Sequence, residues 1–190
     1  MKRAIFVIAA LWVCLFVSGC GSSQGIPDDT VAEILMHEDS RNPDMEFFAP
    51  LLADEDPAIR SRACLALGRI AMLDVENAFS ADLAEVLAED ESVEVRAMAA
   101  FALGETQDKS AIPALLKALK DEESSVRAMA AEALSKCGDD QIAAELAVML
   151  REEEDVEVLR LILLSSFRFN SAETAVEAAR IANSGPEELR

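Results

Sequence analysis

Four cysteines, one histidine and a surplus of carboxylates are the groups of this 190-residue chain that could do chemistry. Cys14, Cys20, Cys64 and Cys137 could act as nucleophiles, metal ligands or disulfide partners, with His37 as a base. A thiol nucleophile needs that base beside it, and a structural zinc site needs four ligands at close spacing. Cys64, Cys137 and the single His37 are too few and too scattered for either. The stretch "LGETQDKS" has the Lys-Ser ending of a phosphate loop, but Asp108 stands where glycine is required before Lys109, and no strand precedes it. Acid pairs occur throughout, so no pair stands out as a general acid and base. The chain reads as a non-enzyme, with no metal and no cofactor.

Cys20 is different because of what precedes it. The chain opens "MKRAIFVIAALWVCLFVSGC": two basic residues, an apolar run from Ala4 to Val17, then small residues. That run is shorter than the ~20 apolar residues needed to span a bilayer. A basic start, a short apolar run and a small-residue end form an export signal. The pattern alone is also met by an ordinary secretory signal with an incidental cysteine, or by an uncleaved helix. The tetrad Val17-Ser18-Gly19-Cys20 resembles the lipobox of bacterial lipoproteins. The resemblance implies lipid attachment to the Cys20 thiol, cleavage before Cys20 and acylation of the new amino group. Residues 1–19 are then a lipoprotein signal peptide, and the lipid on Cys20 is the only added group. Residues 20–29, with "GSSQG", form a flexible lipidated tether. The resemblance places the chain in the bacterial cell envelope, facing the periplasm or the exterior. Gly21 in place of Asp favours the outer membrane of a Gram-negative cell over the inner.

The formal charge is −19, and it falls to −21 on cleavage because Lys2 and Arg3 leave with no acid. Such a body is repelled by nucleic acid phosphates and anionic lipid. Nucleic acid is excluded as a partner, and contact with the membrane runs through the lipid. The 171 residues left suffice for one domain. Two cysteines in an exported chain could pair. Cys64 and Cys137 fall at non-equivalent positions of the repeat below, so the reading is of two unpaired, buried thiols.

The rest of the chain copies itself. "DEDPAIRSRACLALG" (54–68), "EDESVEVRAMAAFALG" (89–104) and "DEESSVRAMAAEALS" (121–135) align, and "EEEDVEVLRLILLSSF" (152–167) is a degenerate fourth copy. Arg60, Arg96 and Arg127 are 36 and 31 residues apart, a period that means stacked helical hairpins. Amphipathic segments at 44–54, 80–90, 109–121 and 140–151 supply an A helix before each acidic turn, and a B helix follows it. Asp56 before Pro57, Ser92, Ser124 and Asp155 are the expected B-helix N-caps, and Gly104 and Gly138 the expected stops. Thr30 with Glu33 makes a capping box for a first helix over 30–39. Residues 171–183 read as a further A helix without its B partner.

Counting from each arginine, positions +3 and +6 are alanine (Ala63, Ala66; Ala99, Ala102; Ala130, Ala133) and +7 is leucine (Leu67, Leu103, Leu134). With the acidic turn and the Ile59-Arg60, Val95-Arg96 and Val126-Arg127 pairs, this resembles the HEAT-like repeats of the phycobilisome-lyase type. The resemblance covers roughly 44–170. It implies an all-α solenoid of about four antiparallel helix pairs plus terminal helices, occupying 30–190. In the fourth copy either Leu159 or Arg160 takes the arginine place.

Three groups of residues follow. Arg60, Arg96 and Arg127 should tie acidic turns together as a ladder between repeats. The turn acids Asp54, Glu55, Asp56, Glu89, Asp90, Glu91, Asp121, Glu122, Glu123, Glu152, Glu153, Glu154 and Asp155 should stack along one edge, open to a cation or a basic partner. Positions +2 and +5 share a B-helix face and vary: Arg62 and Leu65, Met98 and Phe101, Met129 and Glu132, Leu161 and Leu164. If the B helices line the concave surface, as the resemblance implies, these make an apolar binding stripe, and methionine adapts well at such surfaces. The expected function is a lipid-anchored scaffold that binds an unknown protein or peptide, for which the acidic edge favours a basic one. The alternatives are a chromophore-handling, lyase-like protein, as the resemblance allows, and a structural spacer that binds nothing.

Overall fold

An acidic turn fixes where each B helix starts, and the helices follow in strict alternation. The computed structural model describes residues 26–72, 79–138, 142–169 and 171–189. Among these are ten α-helices and no strand. A leading helix, α1 (Asp28–Ser40), is followed by four pairs. They are α2 (Met45–Leu52) with α3 (Pro57–Ala71), α4 (Ser80–Glu89) with α5 (Val93–Thr106), α6 (Ile112–Ala118) with α7 (Ser124–Cys137), and α8 (Ile142–Glu152) with α9 (Val156–Ser166). An A-type helix, α10 (Ala172–Ser184), comes next, followed among the described residues by a 3-10 turn at Glu187–Leu189. The expected signal peptide, Cys20 and the first residues of the tether lie outside the described residues. No described helix is long and apolar enough to cross a membrane.

The B helices form one layer in which each packs on the next: α1, α3, α5, α7, α9. The A helices lie behind, each on its own B helix, with α4 on α6 and α8 on α10. The alanines and leucines at +3, +6 and +7 are at most 1% exposed in the first three repeats. Small side chains there bring the helix axes close while leucine fills the space between them. α6 is short, because a 3-10 turn at Lys109–Ala111 takes the start of its span. Asp108 caps that turn, accepting from the Ser110 N–H at 2.9 Å and the Ser110 hydroxyl at 2.7 Å.

The caps agree with expectation in part. Asp56 and Asp155 accept the N–H groups of Ala58 (2.9 Å) and of Glu157 and Val158 (2.9 and 3.1 Å). Ser92 holds the N-cap position without a side-chain bond, and Ser124 is already helical, behind Glu123. The Thr30–Glu33 capping box does not form: α1 starts at Asp28, so its first turn consumes the last residues assigned to the tether. Gly138 ends α7, its N–H reaching the Leu134 carbonyl at 2.8 Å.

Gly104 is not a stop. α5 runs through it to Thr106 and ends on Gln107, which adopts the left-handed conformation (φ 52°). Gly104 is instead where α7 comes closest: a Cβ there would lie 2.8 Å from Ala133 Cα. Gly68, at the same register in α3, would put a Cβ 3.0 Å from Ala102 Cα. Both glycines face the +6 alanine of the next repeat, so α3–α5 and α5–α7 are spaced by the same glycine–alanine contact. Overpacking a close contact costs about 1–3 kcal/mol. Gly104→Ala should therefore lower the thermal midpoint, followed by circular dichroism, by about 2–12 °C. The same substitution at Gly68, with more room, should cost less.

Candidate functional site

The turns carry the first geometry of interest. In each, one carboxylate folds back on its own backbone: Asp54 accepts from Asp56 N (2.8 Å), Asp90 from Ser92 N (2.8 Å), Asp121 from Glu123 N (2.9 Å) and Glu153 from Asp155 N (3.0 Å). That fixes the carboxylate at the turn and frees its second face. The arginine of the preceding repeat takes that face with a two-pronged grip. Arg60 Nε and Nη2 donate to Asp90 at 2.6 and 2.9 Å. Arg96 donates to Asp121 at 2.9 and 2.9 Å, and Arg127 to Glu153 at 2.7 and 2.9 Å. Each Nη1 turns back to two carbonyls of its own turn: Asp54 and Glu55, Asp90 and Glu91, Asp121 and Glu122. One guanidinium thus joins two successive turns, three times over.

Burial alone would raise the pKa of Asp90, Asp121 and Glu153. The arginine donors and the turn N–H groups outweigh it and hold all three below the usual carboxylate range. The arginines are raised in turn, by the carboxylate bond first.

The acidic edge divides accordingly. Asp90, Asp121 and Glu153 are drawn into the ladder, Asp56 and Asp155 are caps, and Asp54 braces its own turn. Glu55, Glu89, Glu91, Glu122, Glu123, Glu152 and Glu154 remain exposed. Among the described residues no group of three or more His, Cys, Asp or Glu is placed to hold a metal ion. An open cleft of about 500 Å³ between α2 and α4 is lined by Asp54, Asp82, Glu85, Glu89, Asp90 and Glu91, with Arg60 already engaged.

The fourth repeat resolves its register through its cap. Arg60, Arg96 and Arg127 each stand four residues after their N-caps Asp56, Ser92 and Glu123. Four residues after Asp155 is Leu159, buried. Arg160 points to solvent and pairs with Glu157 at 3.2 Å. The ladder therefore ends at Glu153.

The stripe positions lie on the solvent-facing side of the B helices. Leu65, Met98, Phe101, Met129 and Leu161 are half-buried, and Leu164 is exposed. Met98, Met129 and Leu161 also touch the core. The charged members are occupied: Arg62 pairs with Glu38 of α1 at 2.6 Å, and Glu132 with Lys136 at 2.8 Å. Phe101 is not a free surface ring. Its edge lies over Gly68, and the Lys136 ammonium stands 5.4 Å from its centroid.

Sequence reasoning missed a second charged row, nine residues after each ladder position. Glu38 receives Arg69 as well as Arg62, and Lys136 reaches the buried Glu105 at 2.6 Å. Burial works against the Lys136 charge, but Glu132 and Glu105 overcome it and raise its pKa. The signal was present as Arg69, Glu105 and Lys136 at one register with alternating sign. His37 stacks on Phe47 (centroids 4.3 Å apart) and its Nδ1 sits 3.2 Å from the Asn42 carbonyl oxygen. Cys64 and Cys137 are unpaired and buried, and burial pushes their thiols up to about 12 and about 11.

Residues 80–168 match the family model of HEAT repeats. No curated protein matches the chain. Among solved structures, the crystal structure of an engineered protein from the Northeast Structural Genomics Consortium is similar over 83% of this chain and 74% of its own. Its identity is 22% and the TM-score 0.53. That likeness concerns the fold alone.

Two outcomes follow from the ladder. Arg96→Ala strands a largely buried carboxylate and two turn carbonyls, a loss of about 2–4 kcal/mol between the exposed and buried limits. It should appear as a lower urea midpoint and a broader transition. The depressed acids add a pH signature. Their stabilisation is full above the unfolded values near pH 4 and is lost as pH falls through the lower folded ones. The stability gap between the native chain and Arg96→Ala should hold from pH 7 to about 5 and narrow below about 4.

Proposed function

We propose that this HEAT-like helical solenoid is a lipid-anchored protein-interaction scaffold on the extracytoplasmic side of a bacterial membrane. One observation carries the binding half of the reading. The ladder holds four B helices in a common register, so Leu65, Met98, Phe101, Met129 and Leu161 fall on one outward face, half-buried. A partly open apolar row between charged flanks suits an apolar helix or peptide. The exposed turn acids favour basic residues beside that apolar segment. The strong negative charge argues against nucleic acid.

The anchoring half is supported by the sequence ending in Val17-Ser18-Gly19-Cys20 and the Gly/Ser segment after it. One acyl chain holds a protein only marginally, and two or more hold it stably. The reading therefore includes diacylglycerol on the thiol and an acyl chain on the amino group. Gly21 favours the outer membrane where there are two.

Both halves can be tested in membranes. Cys20→Ser should abolish labelling by a clickable palmitate analogue and move the chain to the soluble fraction; unchanged labelling would sink the anchor. A photo-crosslinking amino acid at Leu65 should yield an adduct of defined mass. The same probe at Glu145, on the exposed back of α8, should yield none. Equal adducts at both sites, or none at either, would leave the spacer reading in its place.

A further inference from the structure

Among the described residues the ladder has four acceptors and three donors. Asp54, Asp90, Asp121 and Glu153 each accept from the backbone N–H two residues on, and in the three aspartate turns that bond uses Oδ1. The backbones of these three turns match as well. The arginine that follows each donates to the carbonyls of Asp54 and Glu55, of Asp90 and Glu91, and of Asp121 and Glu122. The first turn is therefore built as the second and third are. Its carboxylate differs on the other face. Asp90 Oδ2 takes Arg60 Nε at 2.6 Å, and Asp121 Oδ2 takes Arg96 Nε at 2.9 Å. Asp54 Oδ2 takes nothing: among the described residues the Asp56 N–H is the one donor to the Asp54 carboxylate. Arg60 feels the Asp54 charge, but its Nε and Nη2 are committed to Asp90 and its Nη1 to the turn carbonyls.

Nothing in the chain before this turn can supply the missing donor. There is no Lys or Arg between Arg3 and Arg41. Arg41 stands at the wrong end of α2. It follows α1, whose His37 stacks on Phe47 at the start of α2, whereas Asp54 comes after α2 has ended. The eight residues of α2 put about 12 Å of helix between the two. Arg62 and Arg69 pair with Glu38, next to His37 and so at that same far end. A second copy stacked in register does not supply it either, because buried Leu159 holds the donor position of the last repeat. The surroundings of Asp54 suit a cation. Glu55 beside it is exposed, and apart from the engaged Arg60 the charged groups lining the adjoining cleft are all acids.

We propose that Asp54 is an open rung, filled by an arginine of another protein, which carries the ladder one step beyond the first repeat. The guanidinium sets Nε and one Nη on the two carboxylate oxygens, as Arg60 does on Asp90. The kind of occupant follows from the three filled rungs of the same build, each of which holds a guanidinium. Lysine fits less well, since its donors leave a single nitrogen and cannot lie along both oxygens in one plane. This site is on the turn edge, away from the B-helix stripe, and depends on neither the stripe nor the lipid anchor. It selects a partner segment that presents an accessible arginine.

The test uses the full chain in detergent, with aspartate labelled for carbon NMR. N-acetyl-arginine methylamide is titrated in, and its lysine counterpart in parallel, while the Asp54 carboxyl and Asp56 amide signals are followed. The arginine compound should shift both signals saturably and about fivefold more tightly than the lysine compound. Asp54→Asn keeps an acceptor for the Asp56 N–H and loses the charge, so it should abolish the response and leave the thermal midpoint unchanged. Asp54→Glu should retain the response, because Glu153 fills the same role in the fourth turn. Equal shifts with both compounds, or a response that survives Asp54→Asn, would mean a diffuse acidic surface and overturn the proposal. A photo-crosslinking amino acid at exposed Ala53, in native membranes, should then give an adduct whose attached peptide contains arginine, and Asp54→Asn should remove it. No adduct at Ala53 overturns the open rung, and an adduct at Leu65 in the same membranes shows that the stripe reading stands apart from it.

Discussion

Everything in this molecule is referred to one hydrogen-bonded group, an arginine that holds the turn it leaves and the turn it approaches. The guanidinium has five N–H donors in a rigid plane. Two grip a carboxylate of the next repeat and two lie against carbonyls of the turn before it. A flexible lysine could supply the charge but not both directions at once. Because each turn is set against the next to within a hydrogen bond, the helices leaving those turns begin at the same height. Only then can Gly68 meet Ala102 and Gly104 meet Ala133 at the same depth. A slip of one residue would put an arginine or a leucine where the glycine has to be. The polar edge and the apolar interior are therefore one constraint seen from two sides.

The repeat, its helices and the inward alanines were legible in the sequence because they depend on local spacing. Helical period, an aspartate before Pro57 and an Ala-x-x-Ala-Leu tail are read within a dozen residues. What was misread depends on partners a whole repeat away. Gly104 resembles a helix stop until Ala133 is placed against it. The Thr30 capping box was a sound local reading, overridden because α1 gains a further turn at Asp28. Lys136 and Glu105 are 31 residues apart, so their pairing is visible only once the register is known. The fourth repeat shows the reverse. Its arginine is gone, and Asp155 as an N-cap locates Leu159 where no charged residue could.

For the proposed binding face, sequence spacing gives the side of each B helix but not how far its residues are covered. Positions +2 and +5 face outward, yet Leu65, Met98, Phe101, Met129 and Leu161 are half-buried by their neighbours and only Leu164 is exposed. Phe101 is held by Lys136 and Gly68, so part of the stripe is structural. A partner would meet an apolar row already ordered by its own repeats, which lowers the entropy cost of binding.

The ladder also has a grammar of inheritance. Every complete unit carries an acceptor in its turn and a donor in its B helix. Excising the stretch from Asp90 to Lys120 would bring Arg60 to face Asp121, and duplicating it would bring the first Arg96 to face a second Asp90. Either change leaves the ladder with no orphaned charge. The row of Arg69, Glu105 and Lys136 is stricter: excision would set Arg69 against Lys136, and duplication would set the buried Glu105 against another Glu105. The ladder alone would accept units one at a time; the row of alternating sign accepts them only in pairs.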